Sequence, residues 1–107
     1  MATSQSIKEH LQAFNQKVKA ADEKQDEQAK AAIKGALGHL EAAQKELDAQ
    51  AKSDIAQDNA ERQVMLQHLQ TALQNSNAAL KENGAQLRKS IRGAIDATDY
   101  VLTKQDF

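Results

Sequence analysis

Three histidines are the residues of this chain best suited to chemistry, and their spacing is regular. His10, His39 and His68 each precede a leucine and recur at a constant interval. A metal-binding or catalytic role would need the histidines to converge with carboxylates at helical spacing, as in a Glu-x-x-His pair. Glu9 is adjacent to His10 and so lies on another face, and His39 has no acidic residue at either spacing. The histidines recur at the same position of successive predicted helices, and these helices run in opposite directions in an up-and-down bundle. Successive histidines are therefore expected at opposite ends of the bundle. We therefore expect boundary or surface histidines and no metal site.

The other polar residues form no recognisable catalytic or ligand-binding motif. The acidic run at 22–27 lacks the ligand order and central glycine of a calcium loop, so it is expected to be a solvated turn. The serines have no strand-turn-helix setting that would expose a nucleophile. The four glycines are never clustered as a phosphate loop requires, and cysteine is absent. The sequence predicts no enzyme, no cofactor and no metal.

Composition favours one all-α domain spanning residues 1–107. About half of the 40% hydrophobic fraction is alanine, there is no proline, and aromatic residues are limited to Phe14, Tyr100 and Phe107. Alanine, glutamine, lysine, glutamate and leucine dominate, and all are good helix formers because they lose little rotamer freedom. A core built from small side chains predicts closely packed helices.

Charge and hydropathy exclude several classes of partner. With 14 basic and 15 acidic residues the chain lacks the basic surplus of a nucleic-acid-binding module. No window is apolar enough for a transmembrane helix, and the first residues have neither the basic nor the apolar region of a signal peptide. We expect a cytoplasmic protein, or one secreted without a classical signal peptide.

Apolar residues recur at alternating spacings of four and three, the signature of amphipathic helices. The pattern predicts an antiparallel up-and-down bundle of three or four helices at about 6–21, 27–51, 55–81 and 85–104, with a long helical hairpin as an alternative. Ser6 and Glu9 match a capping box at the first helix start. The predicted stripes are Ile7, Leu11, Phe14, Val18 and Ala21; Ile33, Leu37, Leu40, Gln44, Leu47 and Ala51; Ile55, Asn59, Arg62, Leu66, Leu69, Leu73, Ser76 and Leu80; and Leu87, Ile91, Ala94 or Ile95, Thr98 and Leu102.

Three turns, near 22–26, 52–54 and 81–84, divide these helices. Asn83-Gly84 is the strongest stop signal, because glycine readily takes the left-handed conformation that ends helices. A break at Asn75-Ser76-Asn77 is the alternative. The three turns recur at the same 29-residue interval as the histidines. In addition, the segment Ile33-Lys34-Gly35-Ala36 resembles Ile91-Arg92-Gly93-Ala94, which lies two such intervals later. A decayed helix-turn repeat accounts for this, as does chance similarity between alanine-rich helices.

Two segments are candidates for partner contact. Gly35 and Gly38 lie within one helical turn among alanines, which favours close approach of another backbone, either inside the bundle or from a partner helix. Tyr100 and Phe107 are rare aromatics near the C-terminus, where they either form a partner site or cover the bundle end. Polar residues on the stripes, Gln44, Asn59, Arg62 and Ser76, are expected to set register or mark a seam with a second chain.

The leading functional hypothesis is a non-catalytic helical module that acts through a protein partner or homo-oligomer, as an adaptor, a chaperone-like binder or a structural subunit. In length, and in lacking cysteine and proline, the chain also resembles the small secreted WXG100-type substrates, which implies a secreted helical hairpin. It has no Trp-x-Gly turn, and Lys104 stands where an acid is expected after Tyr100. A third hypothesis is reversible lipid binding by an opening amphipathic bundle.

Overall fold

Helices make up almost all of the structure, a computed structural model that describes residues 2–53 and 56–103. Side chains are described for residues 6–49, 52, 60 and 62–103. In chain order the elements are α1 (Ala2–Ala21), α2 (Asp26–Ser53), α3 (Ala56–Ala79) and α4 (Gly84–Thr103). No strand occurs within the described ranges, and the predicted all-α class is confirmed.

The helices form a four-helix bundle in which each packs against its chain neighbours and α4 returns to α1. Packing is most extensive within the α1–α2 and α3–α4 hairpins. The 28 residues of α2 span about 42 Å, which accounts for the 44 Å long axis. The short dimensions of 21 and 19 Å are about two helix diameters. Of the predicted arrangements, the four-helix bundle is the one the chain adopts.

The apolar stripe of α1 is buried as predicted. Ile7, Leu11, Phe14, Val18 and Ala21 each expose 1% of their surface or less. The stripes of α2 and α4 are confirmed in part. The predicted residues that are buried are Ile33, Leu40 and Leu47 in α2, and Leu87, Ile91, Ala94 and Thr98 in α4. Leu37, Gln44 and Leu102 are only half-buried, and the adjacent Ala36, Ala43 and Val101 face the core in their place.

The predicted stripe of α3 is confirmed at Leu69 and Ser76 but wrong at its other leucines. Leu66, Leu73 and Leu80 are only half-buried and pack at the edge of the core. The residues that face the core are Met65, Leu69, Ala72, Ser76 and Ala79. Small side chains at the centre let α3 approach its neighbours closely, and the leucines then cover the seams on either side.

The N-terminal capping box is also wrong, because α1 begins four residues before Ser6, at Ala2. Ser6 is therefore inside the helix. Its hydroxyl donates to Glu46 Oε1 of α2 at 3.0 Å instead of capping the α1 backbone. The side chain thus links the two helices of the first hairpin.

Two loops, at 22–25 and 80–83, lie where turns were predicted. Gly84 has a φ of +58°, so the left-handed residue expected at this turn is present. It opens α4 rather than closing α3. Its N–H donates to Asp26 Oδ2 at 2.8 Å, which ties the start of α4 to the start of α2. The alternative break at 75–77 falls inside α3. Of the turn predicted at 52–54, residues 52 and 53 belong to α2, and residue 54 lies outside the described residues.

Arg88 of α4 clamps the loop between α1 and α2. Its Nη1 donates to the carbonyl oxygens of Ala21 and Asp22 at 3.1 and 2.9 Å, and its Nη2 donates to that of Lys24. The guanidinium also lies 3.9 Å from Asp22 Oδ1 and 3.4 Å from Asp26 Oδ1. It therefore binds the last carbonyl group of α1, which also accepts from the N–H of Lys24 at 3.0 Å, and two carbonyl groups of the loop. The acidic turn is part of this clamp and not simply a solvated loop.

The two hairpins repeat one another at a constant offset. The interval from the end of α1 at Ala21 to the end of α3 at Ala79 equals the interval from the start of α2 at Asp26 to the start of α4 at Gly84. Residues at this offset are buried together in both hairpins, which supports the repeat at twice the histidine interval. The buried pairs are Ile7 and Met65, Leu11 and Leu69, Phe14 and Ala72, Val18 and Ser76, Ala21 and Ala79, Ala29 and Leu87, Ile33 and Ile91, Ala36 and Ala94, Leu40 and Thr98, and Ala43 and Val101.

Buried polar residues form hydrogen bonds across the interface between α1 and α4. Asn15 is 4% exposed, and its Nδ2 donates to Thr98 Oγ1 at 2.9 Å and to Asp99 Oδ1 at 3.0 Å. The hydroxyl of Thr98 in turn donates to the carbonyl oxygen of Ala94. Asn15 was not among the polar residues predicted to set register. Asn15 lies four residues after Leu11 and three before Val18, and this spacing already places it on the buried face of α1.

Of the four residues predicted to set register, Ser76 is the one found in the core. Its hydroxyl has no hydrogen-bond partner among the described residues. Gln44 is half-buried and donates to Gln70 Oε1 of α3 at 2.9 Å. Arg62 is half-buried, and the side chain of Asn59 lies outside the described residues.

Candidate functional site

A stripe of small residues runs along the solvent side of α2. Ala31, Gly35 and Gly38 are exposed and Ala42 is half-buried, and we refer to these four residues as the outer stripe. Their spacings of four, three and four place them on one helical face. Ile33, Ala36 and Leu40 occupy the opposite face and face the core. Burial of that apolar face therefore turns the glycines outwards.

The glycines of the outer stripe have open space around them. A Cβ built on Gly35 or on Gly38 meets no atom within 4 Å. Of the two alternatives given for these glycines, close approach of another backbone inside the bundle is therefore not what the structure contains. By contrast Gly93, the equivalent of Gly35 in the second hairpin, has the Nδ2 of Asn75 only 2.8 Å from the position of an added Cβ. Close approach inside the bundle occurs at the α3–α4 seam and not on α2.

Charged side chains border the outer stripe on the side towards α3. Lys34 and Glu41 are both exposed and lie seven residues apart, so they are on the same side of α2. Beside Glu41 an open groove of about 590 Å³ separates α2 from α3. Four glutamines and three charged residues line it, together with Leu66 and Leu73.

On the side towards α1, the outer stripe meets a polar cluster. His10 Nδ1 and His39 Nδ1 lie 3.4 Å apart, with ring centroids separated by 5.7 Å. Glu46 Oε1 is 3.8 Å from His10 Nε2 and accepts from Ser6. The expectation that successive histidines lie at opposite ends of the bundle is wrong. His10 precedes the loop at 22–25 by nearly as many positions as His39 follows it, so antiparallel helices bring them level.

The third histidine is in the other hairpin. His68 stacks on Tyr100, with ring centroids 3.8 Å apart and planes inclined by 12°. All three histidines are half-buried, as expected for boundary residues. Tyr100 is itself half-buried and packs against the core, so one face of its ring is already covered. Phe107, the other aromatic predicted to contact a partner, lies outside the described residues.

No group of three or more histidine, aspartate or glutamate side chains that could hold a metal ion occurs in the part of the chain that the structure describes. Within the same residues, no helix combines the length and apolar character required to cross a membrane. No family model matches this chain, and neither a curated protein nor a solved structure shows significant similarity to it.

Proposed function

We propose that this chain is a non-catalytic helical module that acts by protein–protein contact, and that its partner is a second copy of itself. The observation that carries the proposal is the outer stripe, where Gly35 and Gly38 are exposed with no neighbour around them. The pairing element is α2, and the two copies bind through the same face.

The energetics of glycine support a contact at this face. A glycine inside a helix costs about 1 kcal/mol relative to alanine. Neither Gly35 nor Gly38 relieves a contact within the bundle, so the monomer gains nothing in return. Two positions without Cβ on one face let the backbone of a second helix approach closely, and such approach increases the van der Waals contact between the helices.

Charge complementarity favours a second copy of this chain as the occupant. In an antiparallel two-fold crossing centred on Gly38, that residue faces the partner's Gly38, and Gly35 lies within one residue of the partner's Ala42 along the helix axis. The same symmetry sets Lys34 within one residue of the partner's Glu41 on the same side of the crossing, and it does so twice. Lys34 and Glu41 are exposed, and neither forms an ion pair with another described residue. A self-complementary patch of this kind is what an isologous dimer requires.

A charge-reversal series tests the pairing. Sedimentation velocity of the unmodified chain over a range of concentrations is expected to show a reversible monomer–dimer equilibrium. Lys34→Glu should weaken it, because the new carboxylate would face the partner's Glu41. The double variant Lys34→Glu with Glu41→Lys restores opposite charges across the two-fold axis and should recover the dimer. A chain that stays monomeric at every concentration contradicts the proposal, and so does a double variant no better than the single one.

A steric pair of variants provides a second test. Gly38→Leu points into open space in the monomer, so the bundle should fold normally while close approach of a second helix is blocked. Ala60→Leu is the matched control, because Ala60 is also exposed but lies on α3. Loss of the dimer in the first variant and its retention in the second is the expected result. Equal dimerisation of the two variants would exclude the outer stripe as the contact.

A further inference from the structure

The two histidines of the first hairpin face each other through the same ring atom. His10 Nδ1 and His39 Nδ1 are 3.4 Å apart, and the ring planes are inclined by 38°. A nitrogen-to-oxygen hydrogen bond in a protein is most often about 2.9–3.0 Å long. The separation of the two nitrogens is therefore long for a direct hydrogen bond between the rings.

The same separation matches two ligands of one tetrahedral ion. Histidine nitrogens bind Zn²⁺ at about 2.0–2.1 Å, and at a tetrahedral angle two such nitrogens lie about 3.4 Å apart. The ring centroids are 5.7 Å apart, so the two Nδ1 atoms point almost directly at each other. A tetrahedral ion would lie to one side of that line, and each ring would have to tilt by about 30° to direct its Nδ1 lone pair at the ion. Both side chains extend from long helices of one tightly packed hairpin, so the pair is held in place before any ion arrives.

A carboxylate lies on the far side of His10. Glu46 Oε1 is 3.8 Å from His10 Nε2, the nitrogen that does not face His39. The hydroxyl of Ser6 donates to the same oxygen at 3.0 Å and fixes its position. A carboxylate near the outer nitrogen of a ligating histidine favours the tautomer protonated there, which leaves the inner nitrogen free to bind a metal.

The second oxygen of Glu46 lacks a hydrogen-bond donor among the described residues. This atom, Oε2, is buried. A partly buried carboxylate in this condition is stabilised by positive charge nearby. A cation bound between the two histidines supplies that charge across the ring of His10.

We propose that His10 and His39 bind a transition-metal ion of the class that imidazole prefers, such as Zn²⁺, through their Nδ1 atoms, and that Glu46 orients His10. Two coordination positions remain for water or for an external ligand. A site with two protein ligands is weaker than a structural zinc site, and we expect a dissociation constant in the micromolar range. The proposal does not depend on the pairing of two chains.

Calorimetric titration of the full chain with Zn²⁺ near neutral pH tests the site. One ion per chain is expected to bind, and His10→Gln and His39→Gln should each weaken binding by at least about tenfold. His68→Gln is the matched control, because His68 lies in the second hairpin against Tyr100, and it should bind as the unmodified chain does. Glu46→Gln keeps both ligands and should weaken binding about 10- to 100-fold, the usual effect of losing an outer-shell carboxylate.

Imidazole NMR signals of the unmodified chain give a readout that does not depend on how the variants fold. Zn²⁺ should shift the ring signals of His10 and His39 and leave those of His68 in place. The proposal is overturned if zinc does not bind, if the double variant His10→Gln with His39→Gln binds as tightly as the unmodified chain, or if the shifts fall on His68 instead. The proposal is also overturned if the ring signals of His10 and His39 shift with pH but not on addition of Zn²⁺.

Discussion

Arg88 donates to the carbonyl oxygen of Asp22 at 2.9 Å, and this bond joins the start of the last helix to the end of the first. The same guanidinium also binds the carbonyl oxygens of Ala21 and Lys24. One side chain thereby serves as a C-terminal cap for α1 and as a brace for the loop that follows. The loop is only four residues long, so its geometry determines how α1 and α2 pack.

Replacing Arg88 with alanine should lower the free energy of unfolding by about 1–3 kcal/mol, because several carbonyl groups lose a charged donor. Arg92→Ala is the control. Arg92 lies 3.5 Å from Asp22 Oδ2, but its side chain is 70% exposed, against 24% for Arg88. An exposed pair of this kind contributes about 0–1 kcal/mol. Urea denaturation followed by circular dichroism distinguishes the two, and equal losses would contradict the capping role.

Ser76→Ala should stabilise the bundle by about 1 kcal/mol, because it removes a buried hydroxyl that has no partner among the described residues. Alanine is also the better helix former. Ser90→Ala is the matched substitution, since the Ser90 hydroxyl donates to Glu82. It should gain less, or lose stability. Thermal melts of the two variants against the unmodified chain decide the point, and a destabilised Ser76→Ala would reveal a partner for that hydroxyl.

Gly35→Ala and Gly93→Ala make the same change at equivalent positions of the two hairpins. An added methyl group on Gly35 enters open space, so the variant should gain about 0.5–1 kcal/mol from helix propensity alone. At Gly93 the methyl group meets the amide of Asn75 at 2.8 Å, and the displacement of that side chain should cancel much of the gain. Urea titrations at concentrations where the chain is monomeric compare them. A larger gain at Gly93 would be inconsistent with this packing.

The register of α3 can be tested by truncating adjacent residues. Met65→Ala removes a side chain that is 1% exposed and should cost about 2–4 kcal/mol. Leu66→Ala truncates a half-buried side chain at the edge of the core and should cost about 1–2 kcal/mol. The order of the two losses, measured by chemical denaturation, reports which residue faces the core. The reverse order would support the register predicted from the leucines.

Sequence patterns predicted the helices and two of the turns well, because apolar spacing and Asn83-Gly84 are strong local signals. The buried face of α3 was harder to predict from the sequence, because alanine occupies central core positions there and the prediction relied on leucine to mark buried positions. The repeat between the two hairpins contains the missing information, since it aligns Met65 with Ile7 and Ala72 with Phe14.

The candidate sites were harder to predict for a different reason. Small residues such as Gly35 suit both a crowded seam and an open surface, and only the position of the core distinguishes the two. The contact between His10 and His39 arises because the two residues lie at similar distances along the chain from the loop that joins α1 and α2. No motif within a single helix contains that relationship.

The equivalence of buried positions in the two hairpins also bears on the origin and misassembly of this fold. It is the pattern expected if one helical hairpin was duplicated and the copies were fused end to end, so that a pair once held together by association became one polypeptide. Each hairpin can then pack in the place of the other. Two molecules can exchange hairpins and bury the same residues, which makes refolding at high concentration the condition in which swapped dimers are expected.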